Sequence, residues 1–113
     1  IKTVKLINEL KAKNKTIVGY GVPAKASTLL NFYKLGKKHF SFMVDDSPAK
    51  QGLYTPSTYI KIESPNVVDL AKVDYLFIFA WNFANSIKKK AREQGFKGKF
   101  IIPFPKVRIE KWA

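Results

Sequence analysis

The sequence predicts a three-layer α/β domain, Rossmann-like in class, with a mostly parallel five-stranded sheet and helices on both faces. Three observations predict it. Short apolar runs alternate along the chain with amphipathic segments at helical spacing, an order that right-handed crossovers convert into a parallel sheet. The first run, Thr16-Ile17-Val18, passes through Gly19-x-Gly21-x-x-Ala24 into a helix, the strand–turn–helix pattern of nucleotide-binding α/β folds. An acidic pair, Asp45-Asp46, follows the second run, where a ribose-binding carboxylate falls in such folds.

The elements follow in order. Val4, Ile7 and Leu10 recur at helical spacing with lysines between them, so residues 3–13 form an amphipathic helix that Asn14-Lys15 ends. Residues 16–18 are the first strand. In the turn after it, Gly19 is expected to permit tight backbone angles and Gly21 to let a pyrophosphate approach the backbone. Ala24 lets the next helix lie close to the strand, and Pro23 suits that helix's first turn. Open N–H groups there, with the positive dipole end, make an anion site beside Lys25. The helix runs over 23–35, with Ala26, Leu29, Leu30 and Tyr33 on one face and Gly36 as its stop.

Residues 40–44 form a second, wholly apolar strand, as expected of a strand covered on both faces. The longest irregular segment, 45–56, comes next, rich in turn formers. A short strand at 59–62 precedes a brief helix that Ser64-Pro65 opens and that ends near residue 71. Residues 73–80 are the strongest strand and end at Trp81-Asn82-Phe83. A helix over 84–94 closes at Gly95, and a last strand, 100–102, stops at Pro103-Phe104-Pro105. The pattern assigns no element to 107–112. The expected spatial order of strands is three-two-one-four-five.

Composition bounds the function classes. At 113 residues the chain is expected to be one domain, residues 1–113, and its start at Ile1 without methionine is what a piece of a longer protein would have. The absence of cysteine excludes a disulfide scaffold and a thiolate zinc site and fits a reducing, cytoplasmic setting. No apolar run approaches the length of a membrane span, so no membrane partner is expected. The net charge of +13 is almost all lysine, and the arginines are Arg92 and Arg108 alone. Base-reading interfaces lean on arginine's planar fork, and the lysines are scattered, so no specific nucleic-acid partner is expected. Lys37-Lys38 and Lys88-Lys89-Lys90 read as exposed faces.

Parallel strands put their carboxyl ends on one edge, and ligands of open α/β sheets bind outside it. The turn from Gly19, the loop 45–52, the segment 81–85 and residues 103–105 share that edge. His39 falls on the opposite one, so the only histidine is badly placed to be a catalytic base and has a surface or structural role. At the good edge the helix start and Lys25 suit a diphosphate. Asp45 or Asp46 accepts hydrogen bonds from ribose hydroxyls, or one of them only caps the following turn. Tyr20 and Trp81 offer flat faces for a base or sugar, unless Trp81 is core at a strand end. Asn82 brings a donor and an acceptor beside them. No nucleophile–base pair, histidine cluster or carboxylate dyad is present, so the expectation is binding with no catalytic residues and no metal.

The run Gly19-Tyr20-Gly21-Val22-Pro23-Ala24-Lys25-Ala26-Ser27-Thr28-Leu29-Leu30-Asn31 resembles the opening motif of the C-terminal domain of sugar C-methyltransferases. Four further blocks match in order: Val44-Asp45-Asp46-Ser47-Pro48-Ala49-Lys50-Gln51-Gly52, Tyr54-Thr55-Pro56, Phe79-Ala80-Trp81-Asn82-Phe83-Ala84 and Ile101-Ile102-Pro103-Phe104-Pro105. Those enzymes methylate a carbon of nucleotide-linked deoxysugars with S-adenosylmethionine, and they are three-part proteins. The resemblance implies that this chain is the last part and holds the nucleotide-sugar acceptor against an upstream methyltransferase domain. S-adenosylmethionine would then be bound by that other domain, with no cofactor here and no activity from this chain alone. It implies acceptor-side roles for Gly19, Gly21, Lys25, Asp45, Asp46, Lys50, Trp81 and Asn82. The glycine turn also lacks the acidic residue that precedes the glycines of an S-adenosylmethionine site, having Thr16-Ile17-Val18 instead. The competing reading is a stand-alone NAD(P)-type dinucleotide-binding module, supported by the Gly19–Gly21–Ala24 turn with Asp45.

Overall fold

Apolar residues four and three apart turn the first segment into helix α1 (Lys2–Ala12), which buries Thr3, Ile7 and Leu10 along one stripe. The computed structural model describes residues 2–21, 26–55, 58–103 and 107–111. Asn14 stops α1 in the left-handed region at φ 60°, where asparagine is better tolerated than most residues. The chain then enters β1 (Ile17–Tyr20), buried along its whole length. Helix α2 (Ala26–Tyr33), strands β2 (Met43–Val44) and β3 (Ile62–Glu63), and β4 (Tyr75–Ile78) follow. A 3-10 turn, Trp81–Phe83, leads into α3 (Ala84–Glu93), and the chain continues through β5 (Lys99–Ile102) to β6 (Arg108–Glu110).

The strands lie in the order β3-β2-β1-β4-β5-β6 in one sheet. The first five are parallel, in the expected sequence three-two-one-four-five. The sheet has six strands, not five: the unassigned tail returns antiparallel on β5, with Arg108 opposite Ile102 and Glu110 opposite Phe100. Alternation along the strands sorts two cores. Ile17, Met43, Phe77, Phe79 and Ile101 pack with Ile7 and Leu10 of α1 and Leu30 of α2. Val18, Tyr20, Val44, Leu76, Ile78 and Phe100 pack with Ile87 and Ala91 of α3. Helices thus cover both faces.

Three elements differ from expectation. The second strand is two residues long, because Phe40 is held in a turn by its N–H bond to Gly36 O at 3.2 Å. The third begins late, since Thr55 and Ile60 close a loop through Ile60 N–H to Thr55 Oγ1 at 2.9 Å. The brief helix near 64–71 is a turn at Ser64 followed by a 3-10 segment, Leu70–Lys72, which Asp69 caps through Ala71 N–H. Asp69 intercepts the backbone before a helix propagates.

The two early glycines have different duties from those expected. Gly19 lies within β1 and makes no turn. A Cβ there would sit 2.2 Å from Met43 Sδ and 2.5 Å from a Phe79 ring carbon. Its missing side chain lets Met43 and Phe79 close over the middle of the sheet, where Phe79 joins Phe77 at 4.8 Å between ring centres. Gly21, at φ +77°, makes the turn. At the far edge His39 is structural, as expected: its Nδ1 accepts the Gly36 N–H at 3.0 Å.

Two outcomes follow from this packing. Gly19→Ala is expected to cost about 1–3 kcal/mol by overpacking, and Met43→Ala in the same chain to recover part of that cost. Urea unfolding of both singles and the double checks it; strictly additive losses would refute the contact. Burial, then the charge of Lys38, lowers the His39 pKa from its usual 6.5. The neutral ring is therefore favoured in the folded state, so its stability contribution is full above pH 6.5 and is lost as pH falls through the lowered value. His39→Asn, which keeps an acceptor without the titration, should flatten that part of the stability–pH curve.

Candidate functional site

The carboxyl ends of β1, β2 and β4 open onto a cleft of about 390 Å³. Its floor is Gly21 and Tyr20, one wall is Asp45, Asp46 and Ser47, and the other is Phe83, Ser86, Ile87 and Lys90 from the start of α3. Tyr20 is the last residue of β1, and alternation sends its ring into the α3-side core, where it is 2% exposed. It therefore offers no flat face to a base or sugar, contrary to expectation. Its hydroxyl donates to Gln94 Oε1 at 2.7 Å and lies 3.3 Å from Asp46 Oδ1. Burial and the nearby Asp46 charge push its pKa far up, so it stays a neutral phenol.

The two aspartates divide their work. Asp45 is buried, and its Oδ1 accepts the Ser47 N–H at 2.8 Å while Lys50 Nζ stands 3.9 Å from Oδ2. It is the aspartate that caps the turn. Asp46 points across the cleft: Oδ1 meets Tyr20 and, at 3.3 Å, Gln94 Nε2, and Oδ2 meets Lys90 Nζ at 3.2 Å. One carboxylate thus staples the 45–52 loop to α3. The Gly21 N–H is used in the sheet, donating to Val44 O at 2.8 Å.

A second hollow, about 410 Å³, lies on the other side of Phe83 and Ser86. It is lined by Trp81 and Asn82 with Asn85 and Arg108. Trp81 is half-buried against the α3-side core, and Asn82 is exposed. The structure therefore brings Gly21, Asp45, Asp46 and the Tyr20 hydroxyl to one cleft and Trp81 and Asn82 to its neighbour. Gly19 lies beneath Met43 and Phe79. Lys50 lies beside Asp45, 42% of its side chain exposed. Ala24 and Lys25 fall outside the described residues.

Sequence reasoning missed Lys90, Gln94, Ser86 and Phe83. Their signal was present: 83, 86 and 90 are spaced three and four apart, one stripe of a helix. Arg108 was missed because it reaches the rim only through the antiparallel return of β6. The lysine cluster 88–90 is not a uniform exposed face either. Lys88 is buried and ion-paired with Glu110 of β6. Among the described residues no group of three or more His, Cys, Asp or Glu side chains gathers as a metal site, and no helix is long and apolar enough to cross a membrane.

Comparison with known proteins adds a family match. Residues 1–105 match the profile described as C-methyltransferase C-terminal domain. The C-methyltransferase NovU of Streptomyces niveus is 37% identical over 107 residues, which are 92% of this chain and 25% of that protein. The chain thus spans a quarter of the length of this curated relative. Among solved structures, UDP-D-quinovosamine 4-dehydrogenase from Vibrio fischeri superposes with a TM-score of 0.57 at 16% identity, over 88% of this chain and 93% of that one. RSP, a Rex-family repressor, does so at 0.51 and 18% identity, over 90% and 54%. At these identities the likeness is one of fold, and it is the fold expected.

The staple makes a measurable claim. Tyr20→Phe should cost about 1–2 kcal/mol, since it leaves the Gln94 carbonyl oxygen short of its donor in a half-buried place. Combined with Gln94→Ala in chemical unfolding, the two losses should add to less than their sum. Full additivity would mean that the hydroxyl is not part of the network.

Proposed function

Since this chain belongs to the family of C-methyltransferase C-terminal domains, we propose that it is one domain of a longer, cytoplasmic, S-adenosylmethionine-dependent C-methyltransferase, its C-terminal one. Its work is to hold the nucleotide-linked sugar acceptor at the rim of the sheet while an upstream domain binds S-adenosylmethionine and carries the catalytic residues. The observation that supports this most is the state of Asp46. Gln94 Nε2 donates to Oδ1 beside the Tyr20 hydroxyl, while Oδ2 faces the exposed Lys90 ammonium across the cleft. An exposed ion pair is worth about 0–1 kcal/mol. Little therefore opposes a ligand hydroxyl that takes the place of Lys90 on Oδ2. Asp46 accepts hydrogen bonds from sugar hydroxyls, and Asn82 adds a donor and an acceptor in the adjoining hollow.

The chain's own residues do not fit S-adenosylmethionine, which supplies an electrophilic methyl group when bound. Strand β1 enters the turn through Ile17–Tyr20 with no carboxylate ahead of the glycines. Asp45, the carboxylate at the end of β2, is spent on the Ser47 N–H. No step of methyl transfer is therefore assigned to this chain. The anion site expected of residues 22–25 lies outside the described residues, and Lys25 remains part of the proposal on the family pattern.

Calorimetry of the chain with a thymidine-diphosphate deoxysugar should give weak, saturable binding, since an upstream domain would supply the rest of the site. Asp46→Asn, which keeps the Oδ1 acceptor, should weaken it roughly tenfold. Tight binding of S-adenosylmethionine would overturn the assignment. Saturation by NADH at micromolar levels would transfer the site to the dinucleotide class.

A further inference from the structure

The hollow of about 410 Å³ and the cleft beside it share Phe83 and Ser86 but differ in charge. The cleft is lined by two carboxylates, Asp45 and Asp46, and one amine, Lys90, with Lys50 Nζ 3.9 Å from Asp45 Oδ2. Among the described residues, the lining of the hollow has no carboxylate. It offers the guanidinium of Arg108, the amides of Asn82 and Asn85, and the Ser86 hydroxyl. Helix α3 starts there with no acidic residue in its first turn and no side-chain acceptor from its N-cap, Phe83. Its partial positive charge adds to that of the guanidinium.

Arg108 is placed by β6. It sits opposite Ile102 and Glu110 opposite Phe100, so both face the α3 side of the sheet. Glu110 accepts from Arg108 Nε and from the buried Lys88, which orients the guanidinium from behind. Two positive groups and one negative leave this trio with one net positive charge.

We propose that this hollow binds a phosphate group, with Arg108 as its principal contact. It receives the phosphate end of the ligand whose hydroxyls meet Asp46, and so rests on the reading of the rim as a site for a phosphate-bearing sugar. A guanidinium matches phosphate through paired N–H donors where an ammonium acts as a point charge. Asn82, Asn85 and Ser86 supply neutral donors around it. Phe83, 65% exposed between the two hollows, gives the linking part of the ligand an apolar surface. The carboxylates of the cleft are offset by Lys90 and Lys50, whereas the trio at the hollow keeps one net positive charge, and that difference draws the phosphate toward Arg108 and sets the direction in which the ligand lies.

The arginine Nε–H signals in nuclear magnetic resonance provide the test on the unaltered chain, because there are only two. Arg92 is the internal control, its guanidinium donating to the carbonyls of Phe96 at 2.7 Å and Gly98 at 2.8 Å. Titration with inorganic pyrophosphate should shift Arg108 Nε–H and the side-chain amides of Asn82 and Asn85 saturably, and leave Arg92 in place. Arg108→Gln should raise the Kd about tenfold or more, and Arg108→Lys by less. Shifts spread evenly over lysine segments, unchanged in Arg108→Gln, would overturn the proposal in favour of general lysine attraction. A thymidine-diphosphate deoxysugar separates this from the acceptor reading. If pyrophosphate moves Arg108 but the sugar nucleotide binds no better, the phosphate hollow stands and the acceptor reading falls. If the sugar nucleotide binds in an Asp46-dependent way with Arg108 silent, the phosphate hollow falls and the acceptor reading stands.

Discussion

The central strand must be covered on both faces at once, and the arrangement of the rest follows from how β1 meets that demand. Ile17 and Val18 are sealed on opposite faces. At Gly19 the chain gives up its own side chain so that Met43 from β2 and Phe79 beyond β4 meet over the sheet. At Tyr20 it delivers the largest side chain it has to the opposite core, hydroxyl outermost. That hydroxyl is the first atom of the polar rim. The hydrophobic packing of the sheet and the placement of Asp46 are therefore not separate matters, because the residue that fills the core also aims the carboxylate.

The rim is a balance of charges more than a basic surface. A formal charge of +13 would suggest indiscriminate attraction for anions. Yet among the described residues the cations at the rim have acidic neighbours: Lys90 pairs with Asp46, Lys50 stands near Asp45, and Lys88 and Arg108 share Glu110. Hydrogen bonds from Lys88 and Arg108 lower the Glu110 carboxyl below its ordinary pKa. What distinguishes the two hollows is their lining: two carboxylates with the Lys90 amine in one, a guanidinium without a lining carboxylate in the other.

Much of the fold was legible because it rests on local pattern. The strand order, the stripe of α1 and the apolar runs of β4 and β5 need only periodicity and the rule for crossovers. The misses at the site share one cause, which is partners distant in sequence. Lys88 looks like its exposed neighbours until Glu110, 22 residues on, comes to rest against it. The split between Asp45 and Asp46 depends on Lys90 and Gln94, which lie 44 and 48 residues from Asp46. Gly19 reads as a turn residue in any local window. Only the approach of Met43 and Phe79 reveals it as a gap that must stay open.

The antiparallel return of β6 matters for solubility too. β5 leaves the ribosome ahead of the strand that pairs with it, so its outer margin, with the buried Phe100 and Ile102, is open to neighbouring chains until the return is made. The strand that shields it is itself flanked by an arginine and a glutamate, a pair of charges that discourages a further strand from stacking alongside. The Arg108–Glu110 pair that serves the second hollow therefore also keeps one molecule from zipping onto the next.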